Sequence, residues 1–566
     1  MPDFKKNTYR KALMTGPALL ALLGIWFTWM GPGPAGAQLN GGSLAVEQGE
    51  GVRIAVTLPG ALEQGKLPDQ KFFNADALRA FYNERDNSPA WTARFGRNHY
   101  KAAKILDVLE QSWTHGLNPN KYHVQRIREL MTNPDESARA ELELLVSDAL
   151  VRYGRDLTGM RINPGDYAQK AKYWRQPLEP GAILQKVSTS ADPIRTLAHF
   201  EPEGKFYAAL RRELITIAQE PDDIAPVALR GKLRPGDAHK QVPAIRQRLG
   251  VTEAENQNVY DDTLALSVME FQRRHGIKPD GVIGADTVVA MNRSREDRMA
   301  QIVANLERLR WVEQDKPERY ILVNIPSATL WAVDDGKVAL EMPVIVGKKA
   351  RPTNSFKTEI TGVRLNPNWT VPPTIKRADF LPELQADPGM LARKGINLYS
   401  GGVAIDPYSV DWSTVTSRDL ANMRMTQPPG ENNPLGKIRV IMENPYNIYL
   451  HDTNKPEYFD KDERAISSGC IRVSKPEELA RFILSANGDG AEENMEKTLS
   501  SGRMRDVSVE KPLPVYILYQ TVWQDASGAI VFGQDLYGQD RRLIEQLGAK
   551  EAFHRPETAQ SVSLTF

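Results

Sequence analysis

The chain has one cysteine, Cys470, in the run Ser467-Ser468-Gly469-Cys470-Ile471-Arg472-Val473, and His451 precedes it in Tyr449-Leu450-His451-Asp452-Thr453. A thiol attacks carbonyls as its thiolate, so cysteine acyl transfer needs an imidazole close by to take the proton. The spacing puts His451 at the end of a strand-like run, Ile448 to Leu450, and Cys470 at the end of a polar loop, which can bring the two face to face. Small residues ahead of the cysteine let the backbone approach a substrate carbonyl, and the amides of Gly469 and Cys470 are candidate donors to a developing oxyanion. A lone cysteine also has a plainer reading, as a small buried hydrophobe.

The elements that would position this pair fall into several units. At 566 residues the chain is too long for one core and, at roughly 100–200 residues per domain, suggests about three. Its 72 basic and 71 acidic residues leave a net charge of +1, which argues against nucleic acid as a partner. One cysteine permits no internal disulfide. Lys5, Lys6, Arg10 and Lys11 precede an apolar stretch from Ala12 to Met30, then Gly-Pro-Gly-Pro and Ala35-Gly36-Ala37. Residues 1–37 therefore read as an export signal cleaved after Ala37, or as an uncleaved inner-membrane anchor, since about 20 apolar residues span a bilayer. Either reading places the rest in the periplasm, with membrane contact only through such an anchor.

Residues 38–70, rich in Gly and Gln, read as a flexible lead-in. Helical spacing of apolar residues dominates 71–228, as in Ala138 to Leu157 and Phe206 to Ile217; His115 and His123 there are expected to be structural. Residues 229–295 form a compact unit with helices at Val242–Leu249, Leu264–His275 and Thr287–Met291. Lone His239 lacks the paired ligands a zinc site needs. After a helix from Met299 to Arg310 the period changes to strands through 296–555, among them Tyr320–Ile325, Ile360–Leu365, Lys437–Met442 and Val515–Trp523. Residues 370–436, rich in Pro, Gly and Asn with little strand character, read as a lid inserted in that domain. The expected fold class is multidomain α+β.

The 229–295 unit, with Phe271-Gln272, Gly276, Asp280-Gly281 and Gly284, resembles the three-helix peptidoglycan-binding module found beside many wall enzymes. The His451 and Cys470 stretches resemble the L,D-transpeptidases of the YkuD type, with Ser468 where shorter members carry a second histidine. Asn305-Leu306-Glu307-Arg308-Leu309-Arg310-Trp311, Asn366-Pro367-Asn368-Trp369-Thr370-Val371-Pro372-Pro373 and Pro434-Leu435-Gly436 extend the likeness. Asp535–Asp540 resembles the family's closing strand region, and 71–228 resembles the scaffold domain of its long periplasmic members.

That resemblance implies peptidoglycan stem peptides as substrate, cell-wall synthases as possible partners, and no metal or cofactor. It implies Cys470 as nucleophile, His451 as base and Asp452 orienting the imidazole through its carbonyl. Gly469, Ser468, Arg472, Tyr449 and Trp369 are then expected to support the oxyanion or substrate. The implied reaction is formation of 3→3 cross-links through a thioester on a tetrapeptide donor with loss of D-Ala, and carbapenems are expected to acylate Cys470. A diaminopimelate stem of a Gram-negative wall is expected. An L,D-carboxypeptidase, or an enzyme anchoring a lipoprotein through its lysine, would use the same residues. A non-catalytic wall-binding protein would have lost the pair. The common cysteine endopeptidases of the wall place cysteine before histidine, the reverse of this order.

Overall fold

The computed structural model describes residues 60–550 except 68–69, 93–96, 134, 160, 221–224, 313–316 and 489. The expected export signal or anchor at 1–37 lies outside the described residues. Among those described, no helix is long and apolar enough to cross a membrane. The tail of the expected flexible lead-in is ordered. Lys66–Leu67 pairs with Gln70–Lys71, and Leu62 is buried in the helical core, an apolar anchor that a Gly- and Gln-rich composition conceals.

Helices dominate the N-terminal part, among them α1 (Glu136–Thr158) and α2 (Lys205–Ala218). The next unit holds α3 (Val242–Leu249), α4 (Asp262–Arg274) and α5 (Ala285–Met291) around Ile245, Tyr260, Leu264, Val268 and Ile283. Asp261 caps α4 by accepting from the Leu264 amide at 2.9 Å. His275 at the end of α4 stacks over Phe271, with centroids 3.9 Å apart, and lies 6.0 Å from Phe532, which seats this unit on the C-terminal domain.

Helix α6 (Arg295–Trp311) is the shared axle. It is buried on nearly every side, so its polar residues are paired as buried groups must be. Glu307 binds Arg161 of the helical part at 2.7 Å and Arg310 at 3.0 Å. Arg308 binds Asp540 at 2.6 Å, and Asn305 holds Thr521 through bonds of 2.8 Å.

The C-terminal domain is a strand barrel. Its strands are β1 (Tyr320–Asn324), β2 (Thr329–Asp334), β3 (Lys337–Gly347) and β4 (Phe356–Leu365). After an insertion bearing β5 (Trp369–Thr370), β6 (Asn397–Ser400), β7 (Val403–Ile405) and β8 (Met423–Gln427) come β9 (Ile438–Met442), β10 (Leu450–His451), β11 (Ala465–Ser467), β12 (Ile471–Val473) and β13 (Arg505–Leu518). The order is β11-β3-β12-β10-β9-β4-β13-β1-β2, and a further β2–β3 pairing closes the ring. Alternating residues such as Ile321, Val323, Leu330, Val344, Ile360, Val440 and Val515 fill the interior, each buried side chain stabilising by roughly 1.5–3 kcal/mol.

Two expectations need correction. The 370–436 segment is folded rather than loop-like, with β5-β8-β6-β7 forming a sheet over its own core of Val371, Phe380, Leu384, Met390, Leu398, Trp412 and Met425. Strands this short show no readable period. Residues Asp535–Asp540 are a turn and the start of helix Gln539–Leu547 rather than a strand. Asp535 Oδ2 accepts from the Asp540 amide at 2.9 Å, and Gly538 takes φ +74°, which starts the helix there.

Candidate active site

Register decides which side chains meet. β10 and β12 run parallel, with Leu450 opposite Ile471 and His451 opposite Arg472. β9 runs antiparallel to β10 with Arg439 opposite His451. Successive side chains point to opposite faces. Leu450, Ile471, Val473, Ile438 and Val440 therefore go into the barrel, all nearly inaccessible. Tyr449, His451, Cys470, Arg472 and Arg439 share the other face. The sheet thus sets the predicted thiol and imidazole on one side of the barrel wall, with Arg439 an addition. Arg439 sat in a run that reads only as a strand, and its opposition to His451 depends on an antiparallel pairing with no local signal.

His451 is buried, and its Nδ1 lies 2.5 Å from the carbonyl of Asp452. A carbonyl can only accept, so Nδ1 carries the hydrogen and Nε2 presents its lone pair. Burial, then the positive charge of Arg472 and of Arg439, pushes the imidazole down to about 3, against the Asp452 carbonyl, which favours the charged form. Burial thus favours the neutral imidazole.

Asp452 is held at several points. Its amide donates to the Ile438 carbonyl at 2.8 Å, and its carboxylate accepts from the amides of Lys437 at 2.8 Å and Thr453 at 2.6 Å. Gly436 makes this possible: at φ +56°, a Cβ there would fall 2.2 Å from a carboxylate oxygen of Asp452.

The Cys470 thiol donates to the Asn447 carbonyl at 3.7 Å. Burial raises it above the ordinary thiol range, against opposing contributions from Tyr449 and from the charges of Arg439 and Arg472. Burial thus disfavours the charged form of each group. Tyr449 lies against both, its ring 5.5 Å from that of His451 and beneath the Arg439 guanidinium at 4.3 Å.

The loop before the cysteine is fully specified. Ser467 Oγ donates to the Cys470 carbonyl at 2.6 Å and accepts from the Gly469 amide at 3.1 Å. The Gly469 amide, expected as an oxyanion donor, is thus already engaged. Thr353 Oγ1 donates to the Gly469 carbonyl at 2.8 Å while accepting from the Gly347 amide at 2.9 Å. Gly469 has φ +112°, a conformation open to glycine. The Ser468 hydroxyl accepts from Arg351 at 3.0 Å.

The guanidiniums of Arg439 and Arg472 have no carboxylate within ion-pair distance among the described residues, and Arg439 Nε is buried without a partner. The two arginines thus flank His451 from the neighbouring strands, with Arg439 over the ring of Tyr449. Trp369 packs against the insertion's core, its ring 6.1 Å from Phe380 and nearly perpendicular to it. His115 and His123 hydrogen-bond within the helical part, to Tyr207 at 3.2 Å and Asp148 at 2.9 Å. The His239 ring accepts from the Gln241 amide at 3.2 Å. Among the described residues no His, Cys, Asp and Glu side chains cluster as metal ligands.

Comparison with known proteins matches residues 318–517, the barrel with this face and its insertion, to the YkuD family, the L,D-transpeptidase catalytic domain. The chain carries an L,D-transpeptidase domain. Residues 76–214 match a scaffold domain and 247–291 a peptidoglycan-binding domain, so the transpeptidase barrel sits in a chain with two further family modules. A Haemophilus influenzae protein named "Putative L,D-transpeptidase" is 34% identical over 254 residues, 44% of this chain and 50% of that protein. The chain thus aligns with about half the length of that relative. Among solved structures, an L,D-transpeptidase from Mycobacterium smegmatis is similar at 15% identity over 36% of this chain and 58% of that one, with a TM-score of 0.17. One from Stackebrandtia nassauensis is similar at 13% identity over 52% and 96%, also with a TM-score of 0.17. Overlaps that weak carry no argument; the assignment of the transpeptidase domain rests on the family match.

Proposed function

We propose that this protein is a periplasmic L,D-transpeptidase that forms 3→3 peptidoglycan cross-links through a thioester on Cys470. What supports the reading is the pairing of β10 with β12, with a proton-accepting Nε2 on β10 and the thiol one residue before β12. The thiol turns from Asn447 toward His451, whose Nε2 takes its proton as sulfur attacks the carbonyl of the diamino-acid residue in a tetrapeptide stem. The oxyanion falls to the Cys470 amide, with the Tyr449 hydroxyl beside it. The carbon–nitrogen bond to D-Ala breaks, His451 returns the proton to the departing amine, and a thioester remains. The side-chain amine of a second stem attacks that thioester and gives its proton to His451, which passes it back to sulfur as the new amide forms.

Arg472 and Arg439 receive stem carboxylates, the anions this face lacks. The module at 247–291 holds the chain on the wall while the barrel works. The thioester conserves the energy of the broken amide, so the cycle runs on the chain's own residues.

The test is product analysis after incubating the protein, and Cys470→Ala, with disaccharide-tetrapeptide. Cysteine-dependent dimers that have lost one D-Ala are expected. Tripeptide alone would replace cross-linking by carboxypeptidase action, and turnover by Cys470→Ala would remove the assignment. Carbapenems should add to Cys470 and not to the variant, as read by intact mass.

A further inference from the structure

The loop between β3 and β4 touches the nucleophile segment and the insertion at once. Thr353 in this loop bonds Gly469, and Arg351 donates through Nη1 to Ser468 Oγ at 3.0 Å. The same guanidinium forks onto the carboxylate of Asp379, Nη1 to Oδ2 at 2.6 Å and Nη2 to Oδ1 at 2.8 Å. Asp379 lies in the π-helical turn Lys376–Phe380 of the insertion, a turn type that is rare and concentrates at functional positions.

Chain connectivity gives this pair its meaning. The insertion leaves after β4 and returns into β9, the strand opposite His451. Arg351 follows β3, the strand that pairs with β12 just beyond Cys470. In the ring order β4-β9-β10-β12-β3, the strand bearing His451 and the strand that starts one residue after Cys470 lie between the roots of the insertion and its far anchor. The insertion therefore spans the acyl-transfer face, rooted beside the imidazole and fastened beside the thiol.

We propose that Arg351 is a positioning residue: its ion pair with Asp379 latches the insertion across the acyl-transfer face, and its bond to Ser468 couples that closure to the Cys470 loop. This rests on the reading of Cys470 as nucleophile. The chemistry suits a latch. A planar guanidinium meets a carboxylate in two parallel bonds, which fixes orientation as an ammonium would not. The side chains are 19% and 42% exposed, and an ion pair so open to water is weak enough to part for a stem peptide and close again. Each partner also holds the other charged, raising Arg351 and lowering Asp379.

The test uses the full chain with Asp379→Asn, Arg351→Lys and the double swap Arg351→Asp with Asp379→Arg. Two quantities are read: KM for disaccharide-tetrapeptide, and the rate at which N-ethylmaleimide alkylates Cys470. Asp379→Asn should raise KM about fivefold, the upper end for a half-exposed pair, and should speed alkylation, because an unlatched insertion uncovers the thiol. Added salt should move the wild type toward the variant and leave the variant unmoved. The swap should recover much of KM. A general structural defect would slow both processes and would not be rescued by the swap; that result overturns the latch, as does an Asp379→Asn with wild-type KM and alkylation. If Cys470→Ala still turns over, the reading of the site fails instead, and the two failures are distinct.

Discussion

Thr353 holds the carbonyl of Gly469 at 2.8 Å, and that bond aims the amide of Cys470. In a trans peptide the C=O and the following N–H point in opposite directions. With the Gly469 carbonyl turned onto Thr353, the Cys470 N–H faces away from it, and that amide makes no backbone hydrogen bond among the described residues. Because Ser467 occupies the Gly469 amide, Cys470 supplies the free backbone donor.

Thr353→Val should therefore lower kcat by about 10- to 100-fold, somewhat less than outright loss of an oxyanion donor, with KM little changed. Thr353→Ser should restore most of it. Steady-state kinetics on the tetrapeptide checks this. A Val variant with wild-type kcat would mean the peptide plane is held by other contacts.

Arg439 and Arg472 lead to a prediction in substrate binding. Arg439→Gln and Arg472→Gln should each raise KM for the tetrapeptide about tenfold, the lower end for a charge-assisted bond. A stem with its C-terminal carboxylate amidated should narrow the gap between variant and wild type. Equal sensitivity of both enzymes to amidation would show that these arginines do not meet that carboxylate.

The resting protonation state predicts a pH profile. Burial raises the thiol and lowers His451 to about 3. Both shifts disfavour the charged forms, and direct alkylation needs the thiolate. The rate of iodoacetamide alkylation should climb with pH and reach half its maximum above the ordinary thiol value of about 8.5. A plateau already reached near pH 6 would reveal a preformed thiolate–imidazolium pair and contradict the site electrostatics.

Much of this was legible in the residues. The amphipathic spacing of 138–157 and 206–217, the three helices of 242–291 and the alternation around Tyr320–Ile325 each emerge as elements of the expected kind. The His451 and Cys470 stretches carry enough local pattern to be paired by eye. What escaped was set by partners distant in sequence. Arg439 reaches the site through strand register, Thr353 and Arg351 through a loop near Cys470 only in space, and engagement of the Gly469 amide through the rotamer of Ser467. The interior that Phe380 and its apolar neighbours give the insertion, against which Trp369 packs, was hidden because its strands are too short to show a period.

The central claim is the covalent intermediate, and acid-quenched mass spectrometry tests it most directly. The protein is mixed with excess disaccharide-tetrapeptide, quenched within the first turnovers and digested, and the peptide carrying Cys470 is weighed. A tripeptide-stem acyl group on Cys470, lost on alkaline hydroxylamine treatment and absent from Cys470→Ala, is the predicted result. Turnover that proceeds with an unmodified Cys470 peptide, or persists in Cys470→Ala, would contradict the account.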